Sequence, residues 1–364
     1  YMDARYIDRD QRISCRFRLS TPLELWPLRL TKAQFVSGST GFQALGLDVG
    51  AETAGGLILS FLRPASNAQA DKPGKPVDTL TVDSLPVYLV GDASESVSIY
   101  EHLFTNTVRA TIRYLDQRGD PVFLRLEPEF LEQIGFAENE AIFPEDTRVL
   151  RGFTLLREFF LFPQKFLGFR IKGLAKVLPR IKSAAFDLMI EMNAVRPNLP
   201  PRVTAEHFRL NAAPAVNLFE ENCAQVQMDS ARHDYLVQAD SSPSSHYEVH
   251  RITDVFAYYQ GVNTKIPVHP LYGLPADVMQ PREALYFTAR QRPRRLSSSE
   301  KRFGQTAGYT GTETFISIYE PGHLDSADRV KRLQIKLLCS NRHLPQYLPI
   351  AAGGADFRLT DDTT

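Results

Sequence analysis

The sequence predicts an α+β, strand-rich fold with two antiparallel β-sandwich or barrel-like domains joined by a short helical aromatic hinge. Short apolar segments with a period of two recur up to about residue 92 and again after about residue 205. An amphipathic helical period interrupts the first set, and an aromatic run separates the two sets. The predicted domains are residues 1–148 and 202–364, with the hinge and connector at 149–201.

The totals fit a globular chain without a strong electrostatic field. The 364 residues include 42 basic and 42 acidic ones, so the formal charge is zero and does not draw the chain to nucleic acid or membrane. Three cysteines, which are few, odd in number and far apart, argue for a reducing compartment rather than a disulfide framework. No signal peptide opens the chain, and no apolar run reaches about eighteen residues. We therefore expect a cytoplasmic protein, and the initial Tyr1 suggests a fragment of it.

Strand signals dominate the predicted first domain. Residues 13–19 alternate apolar and polar side chains, and residues 55–64 (GGLILSFLRP) indicate a buried strand. A strand pair with Pro86 between its members is predicted at residues 79–92. The helical period then predicts an amphipathic helix at about 96–116, with Ser94 or Ser96 as N-cap and His102 on its solvated side. The lone Trp26 is expected to pack in a core or a domain interface.

The hinge is the stretch GFTLLREFFLFPQKFLGFR at residues 152–170. It contains six phenylalanines, and Pro163 interrupts its helical spacing, so it predicts a short helix, a turn and a second short piece. We interpret it as a buried hinge, and the alternative is that part of its aromatic face docks against another chain. The residues expected in the hinge core are Leu155, Phe159, Phe160, Phe162, Pro163 and Phe166.

The predicted second domain contains a polar, basic loop at residues 290–302. Nucleic-acid binding would need stacking aromatics among the charges, and only Phe303 is near, so a solvated loop or a contact for an acidic partner is favoured. The candidate partner interface consists of Arg290, Arg292, Arg294, Arg295 and Arg302.

Motifs that carry catalysis or bind cofactors are missing from the sequence. It has no phosphate-binding glycine loop, no G-x-S-x-G elbow and no C-x-x-C pair. His246 and His250 form H-x-x-x-H in a strand-like pattern, which places them roughly 13 Å apart, too far for one metal ion. Cys339 follows an apolar run and is expected to be a buried structural cysteine. We expect no catalytic, cofactor-binding or metal-binding residues.

Several segments, in chain order, resemble the TssF family, baseplate wedge subunits of bacterial type VI secretion systems. The hinge is similar to the family pattern of a leucine pair, Glu-Tyr-Phe and Phe-Pro-x-Lys-Phe, and two later segments resemble its Pro-x-x-Asn-Leu-Phe and Leu-Thr-Cys-Thr-Asn-Arg-Asp-Leu-Pro. Matching positions are Leu155, Leu156, Glu158, Phe160, Phe162, Pro163, Lys165 and Phe166, then Pro214, Asn217, Leu218 and Phe219, then Leu338, Cys339, Asn341, Arg342, Leu344 and Pro345. Departures are Phe159 where Tyr is common, Ala212 and Ala213 for the common Cys-Thr, and Ser340 and His343.

The resemblance implies a structural protein that forms wedges with TssG and a second TssF copy and contacts TssK, TssE and the VgrG spike. It implies assembly at the inner face of the inner membrane, without insertion into it, to initiate sheath and tube growth. It also implies structural roles for Asn217, Leu218, Phe219, Cys339, Asn341 and Arg342. The alternative that the residues leave open is a β-sandwich protein that binds or hydrolyses carbohydrate, which would need paired carboxylates in one pocket.

Overall fold

In a computed structural model of the chain, the described residues are 1–8, 11–65, 72–144, 150–195, 202–229, 231–241, 243–261, 264–272, 284–295, 309–319, 329–350 and 356–360. This part of the chain is strand-rich and contains several β-sheets, as predicted.

The strands in chain order are β1 Met2–Asp8, β2 Gln11–Leu19, β3 Arg29–Ser37, β4 Gly55–Leu62, β5 Leu85–Leu89, β6 Thr107–Leu115, β7 Pro121–Arg125, β8 Leu131–Gln133, β9 Gly168–Ile171, β10 Ala185–Met192, β11 Phe208–Arg209, β12 Ala215–Val216, β13 Phe219–Asn222, β14 Val226–Gln227, β15 Tyr235–Val237, β16 Glu248–Tyr259, β17 Ile266–Pro270, β18 Leu285–Pro293, β19 Thr312–Tyr319, β20 Val330–Ser340 and β21 Arg358–Leu359. The α-helices are α1 Thr40–Gln43, α2 Ala93–Asn106, α3 Arg151–Leu161 and α4 Leu174–Val177. Short 3-10 turns lie at Val77–Thr79, Glu138–Glu140, Pro163–Phe166, Leu178–Arg180, Ala205–His207, Ser244–His246 and Leu344–Tyr347.

Residue contacts divide the chain into two compact units. The contiguous unit is Ser20–Pro214, and the two-segment unit combines Tyr1–Leu19 with Ala215–Thr364. These bounds differ from the predicted boundaries at residues 148 and 201, and the predicted arrangement of two domains joined by an aromatic hinge is not confirmed. The predicted connector in particular contributes β9 and β10 to sheets of the contiguous unit.

Two antiparallel sheets form the contiguous unit, in the orders β3-β4-β10-β6-β7 and β11-β5-β9-β8. Strand β10 is central to the larger sheet, and six of its eight residues are buried, which explains why its sequence is a near-continuous apolar run. The apolar faces of both sheets contribute to one core, against which Trp26 packs while partly buried.

The predicted helix at 96–116 is wrong in its second half. Helix α2 ends at Asn106, and the chain continues directly as strand β6 between β10 and β7. Its sequence TVRATIRYL is rich in β-branched residues, which fit the pleated surface of a half-buried strand. The sheet pairing on both sides therefore decides against a helical continuation of the apolar pattern.

The start and the polar side of α2 also differ from expectation. Asp92 is the N-cap, and its Oδ1 accepts from the Ser94 N–H at 2.8 Å and the Glu95 N–H at 3.3 Å. His102, expected to be solvated, is fully buried, with Nδ1 3.1 Å from the Ser98 carbonyl oxygen. Because the helix packs beside the core, its interior face is wider than the apolar residues alone indicate.

Only one of the two strands predicted at residues 79–92 forms, and Pro86 lies inside it rather than between strands. Strand β5 pairs with β9 along residues 85–88, whereas β11 pairs only with Tyr88 and Leu89. Pro86 therefore lies beyond the paired stretch on the β11 side, where a missing N–H is tolerated.

The two-segment unit contains a four-stranded sheet, β12-β2-β1-β21, and an eight-stranded sheet, β13-β20-β16-β17-β18-β19-β15 with β14 also on β20. Its longest pairing joins β16 to β20, with register shifts in three places. The pairing of β17 with β18 is parallel, so the sheet is not purely antiparallel as predicted. A second core lies on this sheet and includes Phe219, Val255, Ile316 and Leu337.

A buried carboxylate lies in the central strand of the contiguous unit. Glu191 on β10 is fully buried and pairs with the guanidinium of Arg109 on β6. Its Oε2 also accepts from Thr53 Oγ1 at 2.7 Å and from the Gly50 N–H at 3.3 Å. These contacts tie residues 50–53 to the sheet, and the charge is tolerated there only because it is paired and hydrogen-bonded.

Replacing Arg109 by leucine should destabilise the chain by about 3 kcal/mol, because Glu191 then stays buried without its cation. The double variant Arg109→Leu/Glu191→Gln should lose clearly less, since glutamine still accepts from Thr53 without a charge. Urea denaturation of the wild type and both variants measures this. Equal losses in the single and double variants would contradict the assigned role of the buried charge.

Candidate interaction surface

Helix α3 presents an apolar surface to solvent. The exposed large apolar residues on it and just after it are Phe153, Leu155, Leu156, Phe159, Phe160, Leu161 and Phe162. Phe160 is 76% exposed and Leu161 is 64% exposed. Taking about 200 Å² for each whole residue, the seven leave roughly 700 Å² of surface accessible. This exceeds the largest apolar patch of about 300–600 Å² on a typical monomer, so the helix is a candidate interaction surface. We call these seven residues the aromatic patch.

A buried ion pair fixes the direction of the helix. Glu158 is the one buried residue among residues 152–161, the part of α3 whose burial the structure describes. It pairs with Lys165 in the following turn, each side chain being 1% exposed. The second carboxylate oxygen of Glu158 accepts from the backbone N–H groups of Ile142 at 2.8 Å and Phe143 at 3.0 Å. These three contacts fix the side of α3 that carries Glu158 against the unit, and the large apolar side chains lie on its other sides. The aromatic patch is therefore held in place.

Phe166, the residue after Lys165, adds apolar ring contacts to the ion pair. Its ring is buried and lies 5.0 Å from the Phe136 centroid and 5.7 Å from the Phe159 centroid. Gly135 allows the close approach, because a Cβ there would lie 2.8 Å from the Lys165 carbonyl oxygen, and its φ of +98° is left-handed. Ring contacts therefore extend from the body of the unit to the aromatic patch.

The local structure of the predicted hinge is observed, whereas its burial is not. The chain forms a helix, a break at Phe162 and a 3-10 turn starting at Pro163, as the spacing predicts. Of the six residues expected in the hinge core, Phe166 is buried, and Leu155, Phe159, Phe160, Phe162 and Pro163 are exposed. The inward side of α3 is taken by Glu158, so the apolar residues lie outside. The sequence contains a signal for this exposure. Glu158 and Lys165 lie on opposite sides of Pro163 with opposite charges, and a buried pair between them would occupy the inward side of the helix.

The predicted arginine interface falls partly on a strand. Arg290 and Arg292 lie on β18, which pairs with β19 up to Pro293, so this part is not a loop. The guanidinium of Arg292 contacts Asp234 at 2.5 Å and covers the Phe315 ring at 4.5 Å, so it is engaged within the chain. Arg294 is half-buried, Arg290 and Arg295 are exposed, and Arg302 lies outside the described residues.

Several residues matched to the later family motifs meet where β13 and β20 pair. Phe219 pairs with Cys339, and Leu218, Phe219 and Cys339 are buried. Asn341 N–H donates to Asn217 Oδ1 at 2.6 Å, and Asn217 Nδ2 donates to Asn341 Oδ1 at 2.9 Å. Asn217 Nδ2 also reaches the Arg16 carbonyl oxygen at 2.7 Å. These amides tie β2 to both later strands.

All three cysteines are free, and none has the environment of a nucleophile. Burial raises the pKa of Cys15 and of Cys223 to about 11, and that of Cys339 to about 12. A thiol that stays protonated at neutral pH is a poor nucleophile. His246 lies in the 3-10 turn before β16 and not in a strand with His250. In the described part of the chain, no three His, Cys, Asp or Glu residues are grouped so as to hold a metal ion.

One cavity of the contiguous unit brings carboxylates together. It measures about 400 Å³ and is lined by Trp26, Tyr88, Glu132, Glu140 and Arg170, among others. Arg170 reaches Glu132 at 2.9 Å and Glu140 at 3.2 Å, and this cation holds the pKa of Glu132 below its usual value. Glu132 is therefore an unsuitable general acid. Glu140 is bonded to the same guanidinium, and Glu24 and Asp83, which also line the cavity, are exposed.

A strand-rich chain with a large exposed aromatic surface has features typical of a subunit of a protein assembly. Two comparisons with known proteins bear on its family. The chain is 30% identical to the type VI secretion system component TssF1 of Pseudomonas aeruginosa, over 97% of this chain and 55% of that protein. Its fold is similar, with a TM-score of 0.62 and 17% identity, to a chain of a TssK-TssF-TssG baseplate subcomplex solved by cryo-electron microscopy, over 93% of this chain and 55% of that one.

The family model for the type VI secretion system protein TssF matches residues 1–364, and the chain belongs to this family. It spans about half the length of the relatives it matches. None of the described helices combines the length and apolar character needed to cross a bilayer.

Replacing Glu158 by alanine should release the helix, because Lys165 then remains buried without its anion and two backbone N–H groups lose their acceptor. The expected loss is about 3–5 kcal/mol, with much faster amide exchange in peptides covering residues 141–144 and α3. Hydrogen–deuterium exchange with mass spectrometry measures this.

The neighbouring variant Arg157→Ala is the matched control. It removes a guanidinium 3.9 Å from the Phe143 ring centroid and should change exchange only slightly. Equal acceleration by both variants would show that Glu158 has no special role.

Stability should fall as the pH rises above about 9. A thiol with a raised pKa in the folded chain binds its proton more tightly than in the unfolded chain, where the value is 9.0. Its stabilising effect is therefore complete below pH 9 and is lost as the pH approaches 11 to 12. Urea midpoints measured under reducing conditions at pH 8 and pH 10.5 test the direction. Cys223→Ala should make the fall shallower, and a midpoint that rises over this interval would refute the prediction.

Proposed function

We propose that the chain belongs to a structural subunit of the type VI secretion baseplate, with binding surfaces in place of an active site. The observation that carries the proposal is the aromatic patch, which the buried pair of Glu158 and Lys165 holds outward. Its roughly 700 Å² is close to the 800 Å² or so that each partner contributes to a standard stable interface. A surface of this size and apolar character suits a permanent partner.

The partners follow from the family. A relative occurs in a complex with TssK and TssG, and we propose the same two partners for the protein that contains this chain. We assign the aromatic patch to TssG, because a permanent wedge contact should be more apolar than a contact made during assembly. We also propose a second copy of the protein in the wedge, contacts with TssE and the VgrG spike, and a cytoplasmic position at the inner membrane. Through these contacts the baseplate would initiate sheath and tube assembly.

The arginine surface of Arg290, Arg294, Arg295 and Arg302 remains a proposed contact at the rim of an interface. Arg292 is less suited to it, because it pairs with Asp234 within the chain. Reversing the charge of Arg292 would therefore disturb the fold as well as any partner contact, whereas Arg295 is exposed and can be changed without that effect.

The carbohydrate-binding or hydrolytic alternative receives no specific support. It needs two carboxylates that converge in one cavity with different protonation states. Four carboxylates line one cavity: Glu132 and Glu140 are both bonded to Arg170, and Glu24 and Asp83 are exposed to solvent. We therefore propose that the protein is not an enzyme.

Phe160→Asp in the full-length protein should abolish most co-purification with its TssG, because a carboxylate would be buried in an apolar contact. The free energy of unfolding should change by no more than about 0.5 kcal/mol, since Phe160 is exposed. Co-expression followed by size-exclusion chromatography with mass measurement gives both the yield and the number of copies.

Tyr272→Asp is the control, since Tyr272 is 93% exposed and lies outside the aromatic patch. It should leave the complex intact. Wild-type recovery of the complex with Phe160→Asp would remove the aromatic patch from the TssG interface. If the wild-type protein does not co-purify with TssG, the baseplate proposal itself is overturned.

A further inference from the structure

A small cavity in the two-segment unit collects positive charge. It measures about 220 Å³ and lies beside β15 and the first residues of β16 and β19. Arg294, Arg295 and Arg342 line it together with one carboxylate, that of Glu313. The lining also includes the apolar Leu236, Val237 and Val249 and the polar residues Gln238, Ser244, Ser245, Thr312 and Thr314.

Arg342 is the buried cation of this cavity. Its side chain is 7% exposed, and its Nε donates to the Tyr247 carbonyl oxygen at 2.9 Å. Its buried Nη1 has no hydrogen-bond partner among the described residues, and the nearest carboxylate oxygen, of Glu248, lies 3.7 Å away. Burial and the charge of Arg294 lower the pKa of Arg342, so the positive charge is incompletely stabilised within the chain.

Glu248 is already occupied by other donors. It accepts from Tyr309 Oη at 2.5 Å, from the Thr312 N–H at 2.8 Å and from Thr312 Oγ1 at 2.7 Å. Gly311 packs against the pair, since a Cβ there would lie 2.5 Å from Arg342 Nη1. The local backbone thus holds Arg342 in place. Because other donors occupy Glu248, part of the hydrogen-bonding capacity of Arg342 stays unused.

We propose that this cavity binds the carboxylate of a glutamate side chain from an acidic segment of a partner protein. Arg342 and the two flanking arginines would pair with the carboxylate, and the apolar wall would cover its methylene groups. The volume is below the 300 Å³ or so of a typical small-molecule site, which suits one side chain. The proposal narrows the arginine surface proposed above to Arg294 and Arg295, adds Arg342 and leaves Arg290 outside the site. It defines the ligand by its chemistry alone.

The charges that line the cavity predict the direction in which each substitution changes the affinity. The Glu313 carboxylate lines the cavity and repels an incoming anion, while Arg295 attracts one. Neutralising Glu313 should strengthen binding, and reversing the charge of Arg295 should weaken it. Arg290 is an exposed arginine on β18 that is not among the residues lining the cavity, so its reversal is a control with the same charge change.

The test measures the fluorescence anisotropy of labelled hexaglutamate titrated with the full-length protein. We expect saturable binding that weakens as salt is raised to about 0.5 M. Arg295→Glu should weaken binding about fivefold or more, Arg290→Glu should change it less than about twofold, and Glu313→Gln should tighten it about twofold. Matching melting curves for the variants show that the fold is kept.

Three results would overturn the proposal. They are the lack of saturable binding, an equal effect of Arg290→Glu and Arg295→Glu, and displacement by inorganic phosphate at the same concentration as by free glutamate. The last result would show a general anion site. Because the assay contains neither TssG nor TssK, its outcome is independent of whether the baseplate proposal holds.

Discussion

The buried ion pair between Glu158 and Lys165 determines how helix α3 is oriented on the contiguous unit and which of its residues are exposed. A charge at 1% exposure is tolerated only with a partner and hydrogen bonds, and here the carboxylate has one ammonium and two backbone N–H groups. Those partners come from Pro163–Phe166 and from residues 142–143, so the pair joins three separate pieces of chain. Since Glu158 occupies the inward side of α3, most of the apolar surface of the helix lies on its other sides, and of the described helix residues Phe159 alone has a ring contact with the buried Phe166. One interaction therefore secures the helix and leaves the aromatic patch exposed.

Hydrogen-bonded buried carboxylates also lie near the ends of two strands. Glu191 ties residues 50–53 to the sheet through Thr53 and Gly50, and Glu248 gathers Tyr309 and Thr312 beside the start of β16. In each case a carboxylate accepts from backbone or hydroxyl donors that apolar packing cannot satisfy. Such groups have directional requirements, which a core made only of aliphatic side chains lacks. They therefore position connecting segments, while the apolar residues supply most of the stability.

Hydrophobic periodicity predicts the strands and helices correctly where the apolar residues are also the buried ones. The prediction is wrong where tertiary contacts bury or expose residues against that pattern. Strands β2, β4 and β10 follow from alternation or from continuous apolar runs, and the break at Pro163 follows from its missing N–H. The apolar spacing of residues 107–115 continues that of α2 and predicts a helix, and only the pairing with β10 and β7 shows that these residues form a strand. The burial of His102 and the exposure of Phe160 likewise depend on which neighbours fill the interior. For the candidate site, sequence supplied the residues but not the side on which they lie.

The two candidate surfaces make different physical demands on a partner. Covering the aromatic patch removes apolar area from water, a gain that is non-directional and little affected by salt, so it favours lasting association. The arginine cavity offers a directional contact whose strength depends on ionic conditions, and charged contacts of this kind set orientation and association rate more than affinity. A subunit that must stay with one partner while recognising another in a defined orientation needs both kinds of contact. The apolar surface cannot supply the second, because apolar contacts discriminate poorly between similar surfaces. Arg342 can do so, since a carboxylate satisfies its free donor only from a narrow range of positions.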